Sequence, residues 1–164
     1  MPYQEGLVPF IRTSDIQNLE ITKRPQKWVN HEIYENQKQN QDIKTYDLLF
    51  VKDGMERIGE TAMVMPGEEQ LILQSHLFKL RINTNQINLD NFNFLYFLNQ
   101  EYVVKQIKKL IFAQGTIPTI GERIKELTLW IPKNKEECRK ISDYMKKSLL
   151  FKYEFKKELK TAKN

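Results

Sequence analysis

The side chains on which catalysis could be built are few: two histidines, His31 and His76, one cysteine, Cys138, and scattered carboxylates. His76 has the chemistry of a general base. It stands alone between Ser75 and Leu77 in an apolar stretch, however, where a hydrogen-bonded structural role is the plainer reading. Cys138 falls inside a predicted terminal helix with no histidine nearby in sequence, so it reads as a small packing residue and not as a nucleophile. Asp53 with Glu56 or Glu60 could begin a metal-dependent nuclease set, but no Glu-x-Lys follows on the next strand. One Cys and two His fall short of the four ligands a structural zinc site takes. The sequence also lacks a Gly-x-Gly-x-x-Gly or phosphate loop, a Gly-x-Ser-x-Gly elbow, and the Asn-Pro-Pro-Tyr or Asp-Pro-Pro-Tyr with which amino-group methyltransferases grip a base. No catalytic centre, metal or cofactor is expected.

The elements that carry these residues alternate between two periods. A chain of 164 residues, 40% hydrophobic and 29% charged, is one domain or one domain with an appendage. No apolar run approaches the roughly 20 residues of a membrane span, the start is unlike a secretory signal, and a cytoplasmic location is expected by default. Phe10 to Arg12 reads as a short strand, and Thr13-Ser14-Asp15 as turn formers that bond their own backbone. Residues 25–42 are polar and irregular in period, and Asn36 to Gln41 reads as a loop or a polar helix end. Leu48 to Val51 is a continuous apolar run, as in a strand buried on both faces, and Asp53-Gly54 ends it in a tight turn. Ile58 to Met65 reads as a second strand. Leu71 to Ile82 reads as a third, with a polar break at Gln74-Ser75-His76.

Beyond Asp90, which can cap a helix, Phe94, Leu95, Leu98, Tyr102, Val103, Ile107 and Leu110 fall at helical spacing and predict one helix to about Leu110. Gln114 to Ile120 reads as a loop around Gly115 and Pro118, Glu122 to Leu127 as a helical turn, and Leu127 to Ile131 as a strand stopped by Pro132. Glu136 to about Lys160 reads as one long helix. Its residues Cys138, Ile141, Met145, Ser148, Lys152, Phe155 and Leu159 form an approximate heptad seam. Leu149, Leu150, Phe151 and Tyr153 lie off that seam. Docking on the same chain and packing against another chain are equally open readings. Net charge is +5 and uneven: residues 133–164 hold 11 Lys/Arg against 5 Asp/Glu, and residues 1–132 hold 15 against 16. The basic excess therefore marks the helix and only weakly suggests nucleic acid.

Several segments, in this order and at these distances, resemble the target recognition domain of type I restriction-modification specificity subunits. They are Val8-Pro-Phe-Ile-Arg-Thr-Ser-Asp-Ile16, Asp47-Leu-Leu-Phe-Val-Lys-Asp-Gly54, Arg57-Ile-Gly-Glu-Thr-Ala-Met-Val64, Leu73-Gln-Ser-His-Leu77 and Asn93-Phe-Leu-Tyr-Phe-Leu-Asn99. Gln114-Gly-Thr-Ile-Pro-Thr-Ile120 follows, with Ile124-Lys-Glu-Leu-Thr-Leu-Trp-Ile-Pro132. The resemblance covers roughly residues 6–160. It implies an α+β fold: a mixed-sheet target recognition domain with packed helices over 1–132, and one long spacer helix over 133–164. Specificity subunits carry two such domains, each followed by a spacer helix, and this chain has one. It therefore reads as a half-subunit that pairs with a second copy, or as a fragment of a longer specificity or fused methyltransferase chain.

The resemblance further implies that the globular part reads a short half-site on double-stranded DNA while the helix joins partners: methyltransferase and restriction subunits, and a second copy. Base readout needs Arg and Lys for guanine and Asn and Gln for adenine. Ser, Thr and backbone N–H groups on phosphates set the register. Arg12, Thr13, Ser14, Lys52, Arg57, Gln74, Ser75, His76, Gln114, Thr116 and Thr119 have suitable types at strand ends, where a sheet holds loops rigidly. Thr13, Ser14, Lys52, Gln74, His76, Gln114 and Thr116 are the foremost of these. Two other classes stay in view: an enzyme, against which the absent motifs speak, and a protein-interaction module built on the terminal helix.

Overall fold

The computed structural model describes residues 7–22, 24–54, 56–83 and 89–161. In chain order they form β1 (Leu7–Ile11), a 3-10 turn (Thr13–Asp15), β2 (Ile16–Gln17), β3 (Glu20–Ile21), β4 (Trp28–Asn30) and α1 (His31–Gln41). There follow β5 (Leu48–Val51), β6 (Thr61–Met63), β7 (Ile72–Leu73), β8 (Leu77–Leu80), α2 (Asn91–Leu98) and α3 (Glu101–Leu110). The chain ends with β9 (Phe112–Gln114), β10 (Ile117–Thr119), a 3-10 turn (Gly121–Glu126) and α4 (Lys135–Thr161). The fold is α+β, as the resemblance implied. One sheet has the order β6-β5-β8 and is antiparallel. A second has the order β4-β1-β7, in which β1 pairs antiparallel with β4 and parallel with β7. Strands β2–β3 and β9–β10 form hairpins.

β5 lies at the centre because all four of its residues are buried. Leu48 and Phe50 face a helical layer made by Phe92, Leu95 and Leu98 of α2, Val103 and Ile107 of α3, and Leu149 of α4. Leu49 and Val51 face Ile11, Leu73 and the β2–β3 hairpin residues Ile16 and Ile21. An unbroken apolar run is what such two-sided burial requires, and each of these side chains contributes on the order of 2 kcal/mol by leaving water. The turn from β5 to β6 passes over α3 at Gly59, whose φ of +98° suits glycine and where a Cβ would come within 3.2 Å of Ile107. Gly59→Ala is therefore expected to destabilise the fold by about 1.5 kcal/mol, read as a lower urea midpoint with unchanged slope.

Several predicted elements are redrawn. The expected third strand is two, because Gln74-Ser75-His76 turns the chain: β7 joins β1, while β8 crosses to β5. The expected second strand is shorter, Thr61–Met63. The helix expected from Asp90 to Leu110 breaks at Asn99, whose side-chain amide donates to the Leu95 carbonyl (2.8 Å) and to Thr61 Oγ1 (2.9 Å). That competition with the helical backbone ends α2 at Leu98, and α3 starts afresh at Glu101. Leu127–Ile131 forms no strand, because side chains replace the ladder: Gln106 bonds both the N–H and the carbonyl of Thr128, and Tyr102 Oη accepts from Trp130 N. The polar stretch before residue 42 is mostly helix. Asn30 caps α1 by accepting from Ile33 N (2.9 Å), and Gln41 bonds both the N–H and the carbonyl of Leu73, covering the edge of β7.

The long terminal helix runs as expected and docks along α2 through Cys138, Ser142, Met145 and Leu149. Asn93 donates to the Cys138 carbonyl (2.6 Å), and Ser142 bonds Asp90. Further along, Lys152 and Lys156 both pair with Glu20, and Tyr153 donates to the Pro66 carbonyl (3.0 Å). The first half of the predicted seam is thus satisfied within the chain, and Phe155 and Leu159 of its second half are exposed. Among the described residues, no helix is long and apolar enough to cross a membrane.

Candidate functional site

Two adjoining strand pairs deliver their ends to one place. β5 ends opposite the start of β8, and Lys52 N donates to the His76 carbonyl (3.0 Å). β1 ends beside β7, and Gln74 N donates to the Ile11 carbonyl (2.8 Å). Segments 12–15, 52–54 and 74–76 therefore emerge together at one end of the sheets. The β9–β10 hairpin closes over them: Gly54 N donates to the Pro118 carbonyl and Ile120 N to the Lys52 carbonyl, both at 3.0 Å, with a bridge between Asp53 and Thr119.

The segment predicted as a loop is thus a hairpin. Gln114 pairs with Ile117 across Gly115-Thr116, and Gly115 has φ +63°. A two-residue connection with positive φ at its first position twists as the flanking strands do, so a Gly-led turn favours pairing over a plain loop. Thr116 is exposed at the tip. The backbone of Gln114 belongs to β9, and its side chain lies outside the described structure.

Of the other predicted residues, Ser14 and Ser75 are exposed on this edge, and Thr13, Gln74 and His76 are half-buried. Arg12 folds back, its Nη2 donating to Gln26 Oε1 (2.8 Å) and its Nε lying 3.7 Å from Asp15. Lys52 Nζ sits 4.9 Å above the Phe78 ring and 3.9 Å from Asp53 Oδ2. Arg57 leaves from the same end of the sheet but turns inward. It makes a two-pronged contact with Glu60 (3.1 and 2.6 Å) and donates to the Ile16 carbonyl. Thr119 is only 3% exposed; its hydroxyl donates to Asp53 Oδ1 and accepts from Gly121 N (3.0 Å). The edge brings ten of the eleven predicted residues together, with Arg57 clasped behind it.

Asp53 holds the edge together. One carboxylate oxygen takes the Thr119 hydroxyl, and the other lies 2.8 Å from His76 Nδ1, at hydrogen-bond distance. The order differs from a hydrolytic triad, in which histidine stands between the nucleophile and the acid. Here the carboxylate stands between, and the hydroxyl is buried. The cluster ties loops and has no nucleophile to activate. In the sequence Asp53 reads as a turn former with Gly54 and as a candidate metal-binding carboxylate, and its tie to His76 and Thr119 is not legible there. Its neighbour Gly54, which ends the strand in a turn, was the available sign of a structural role. Among the described residues, no three His, Cys, Asp or Glu side chains converge on a metal position.

The cations of the edge are internally balanced. Beyond the hairpin, Arg123 lies 5.9 Å from the Phe112 ring, and Lys125 pairs with Glu122. The Lys125 ammonium holds the exposed Glu122 carboxyl below its ordinary pKa, with a smaller contribution from Lys52. Such an edge presents amide, hydroxyl and imidazole groups with fixed directions, backed by cations only partly free for an anion.

The whole described chain falls within one family match: the family model for the type I restriction modification DNA specificity domain covers residues 2–162. No curated protein matches the sequence.

Proposed function

The chain belongs to the type I restriction-modification DNA specificity domain family, and from that premise we propose that the sheet end carrying segments 12–15, 52–54 and 74–76 and the β9–β10 hairpin is its DNA-reading face. The function of the family is sequence-specific DNA recognition within a restriction-modification system; the domain is non-catalytic, and methyl transfer and cleavage fall to partner subunits. The observation that carries the placement is the set of backbone hydrogen bonds linking four separate loops into one rigid edge. Rigidity matters because discrimination between bases depends on donor and acceptor directions. On this reading Thr13, Ser14 and Thr116 set the register on phosphates, and Lys52 supplies charge. Gln74, His76 and Gln114 read base edges, while Arg12, Arg57 and Thr119 hold the frame. Selection from a random duplex pool across a range of salt concentrations tests the reading. Enrichment of one short motif, with affinity falling log-linearly in salt, is the expected result. A chain that retains no duplex at low salt would sink it.

α4 supplies the assembly surface. Beyond its docked stretch it presents Tyr144, Phe151, Phe155 and Leu159 to solvent, with Phe151 72% and Phe155 52% exposed and their rings stacked 6.3 Å apart. These residues recur at near-heptad spacing on the side away from α2. Such a stripe is suited to the same stripe on a second copy, which would place two reading faces on one duplex. Replacing Phe151 and Phe155 together with Glu is expected to leave the chain folded, with an unchanged circular-dichroism spectrum, and to yield a monomer in sedimentation. A native chain that is already monomeric at high concentration overturns the pairing.

A further inference from the structure

His76 can meet a base in two opposite ways. A neutral imidazole carries one N–H and one lone pair, and which nitrogen holds the proton decides whether the free nitrogen donates or accepts. In this fold Nδ1 lies 2.8 Å from Asp53 Oδ2. Both carboxylate oxygens face donors: Oδ1 takes the Thr119 hydroxyl, and Oδ2 has the Lys52 ammonium at 3.9 Å besides His76. Asp53 is thereby an acceptor on every side, and an unprotonated Nδ1 would set lone pair against lone pair. The proton belongs on Nδ1. Among the described residues Nε2 makes no hydrogen bond, and it is open to solvent on a side chain 37% exposed. The backbone beneath cannot drift, because the His76 carbonyl accepts from Lys52 N and the next residue, Leu77, is buried.

We infer that Asp53 is a specificity-positioning residue: it pins the proton on His76 Nδ1 and so presents Nε2 to the DNA as an acceptor. The inference rests on the reading of this edge as the DNA face. In the major groove an acceptor selects amino groups, cytosine N4 or adenine N6, and rejects guanine O6 and thymine O4, which are themselves acceptors. His76 thus favours cytosine or adenine at one position of the site. The same carboxylate holds Thr119 and with it the hairpin, so a single group sets both the position and the hydrogen-bonding sense of this contact.

Asp53→Asn is nearly isosteric. With its Oδ1 kept on the Thr119 hydroxyl, its NH2 group points at His76 Nδ1 and moves the imidazole proton to Nε2. Two measurements on the full chain test the inference. The first is a long-range 1H–15N spectrum of histidine-labelled protein without DNA under mildly alkaline conditions, with His76→Gln assigning His76 against His31. The expected result is Nδ1–H in the native chain and Nε2–H in Asp53→Asn. Nε2–H in the native chain, or Nδ1–H in both, overturns it. The second is site selection from a random duplex pool. Asp53→Asn is expected to exchange cytosine or adenine for guanine or thymine at one position, a change of about tenfold in preference, with binding to unrelated duplex preserved. An equal loss on all sequences would mean that Asp53 only supports the fold, and it overturns the specificity role. Thr119→Val, which removes the hairpin tie and leaves the Asp53–His76 contact, is expected to keep Nδ1–H in the spectrum; Nε2–H there overturns the assignment of the proton position to Asp53. Failure of the native chain to bind any duplex overturns the DNA reading itself, and the proton position is still decided by the spectrum.

Discussion

Replacing Arg81 with Met is expected to lower the stability of the folded chain by about 3 kcal/mol, a fall of roughly 10 °C in melting temperature for a domain of this size. Arg81 follows β8 and grips Asp47 with two parallel hydrogen bonds, Nε to Oδ1 at 2.5 Å and Nη2 to Oδ2 at 2.7 Å. It also reaches the Asp42 side chain (3.1 Å) and carbonyl (2.8 Å). The Asp47 carboxylate holds the guanidinium above its ordinary pKa, with Asp42 adding to the effect, so Arg81 is a permanent cation here. Asp47 is the vulnerable partner, because its side chain is 1% exposed. Without Arg81 the carboxylate keeps, among the described residues, the Lys44 N–H alone (2.8 Å) to compensate a buried negative charge. The cost is the orphaned charge more than the lost attraction, so a second substitution, Asp47→Leu, is expected to restore most of the stability. Urea unfolding of the native, single and double variants makes the measurement. Equal loss in single and double variants would refute the account. Arg81 stands at the opposite end of β8 from His76, so the folded Arg81→Met protein is expected to retain its DNA affinity.

Lys52→Glu is expected to weaken DNA binding by about 30-fold, or about 2 kcal/mol, and to reduce the slope of log affinity against log salt by one to two. The main-chain bonds of Lys52, to the His76 carbonyl and from Ile120 N, survive the change, so the edge keeps its shape. The charge of the edge does not. The native ammonium sits beside Asp53 and near Glu122, offsetting both. Its reversal leaves three carboxylates where phosphates must approach. Because phosphates carry no sequence information, the loss is expected to be similar for the selected site and for unrelated duplex. Titration of both duplexes at several salt concentrations, with a melting curve to show that the fold is intact, decides it. Unchanged affinity in a folded variant would place the DNA elsewhere on the molecule.

Much of this arrangement was written locally. The unbroken apolar run Leu48–Val51 announced a central strand, and its burial on both faces is what that pattern requires. Asp90 announced a helix start and caps α2 by accepting from Asn93 N (2.9 Å). The terminal helix was legible from its period almost to the residue. Periodicity misled where a side chain, and not a run of side chains, decides the backbone. Asn99 breaks α2 from α3 by bonding Leu95 and Thr61, a contact with a residue 38 positions away. The β2–β3 hairpin went unread because its turn is Asn18-Leu19, both at positive φ. Leucine takes that conformation at a cost of about 1 kcal/mol. Here the Leu19 carbonyl accepts from Met63 N (3.1 Å), and its side chain packs on the core.

The sequence alone determined the family, through motifs whose order and spacing survive without a structure, and the kind of residue at each strand end. It showed too that polar side chains of the types that recognition uses lie in the segments 12–14, 74–76 and 114–119. Residue types and turn chemistry are local properties, and local patterns report them. What the tertiary structure alone decided is which of those residues stand together and what each is left free to do. Asp53, read from sequence as a turn residue and a possible metal-binding carboxylate, joins His76, 23 positions on, to Thr119, 66 positions on. Arg57 and Arg12, equally basic on paper, are spent on Glu60, Ile16, Gln26 and Asp15. The half of the terminal seam that meets α2 is closed by the chain itself, and Phe151 and Phe155 are not. The physical reason is common to all three: a hydrogen bond or a buried contact depends on angstrom-scale geometry between residues distant in sequence, and only the packing of β5 between its two layers brings them within reach.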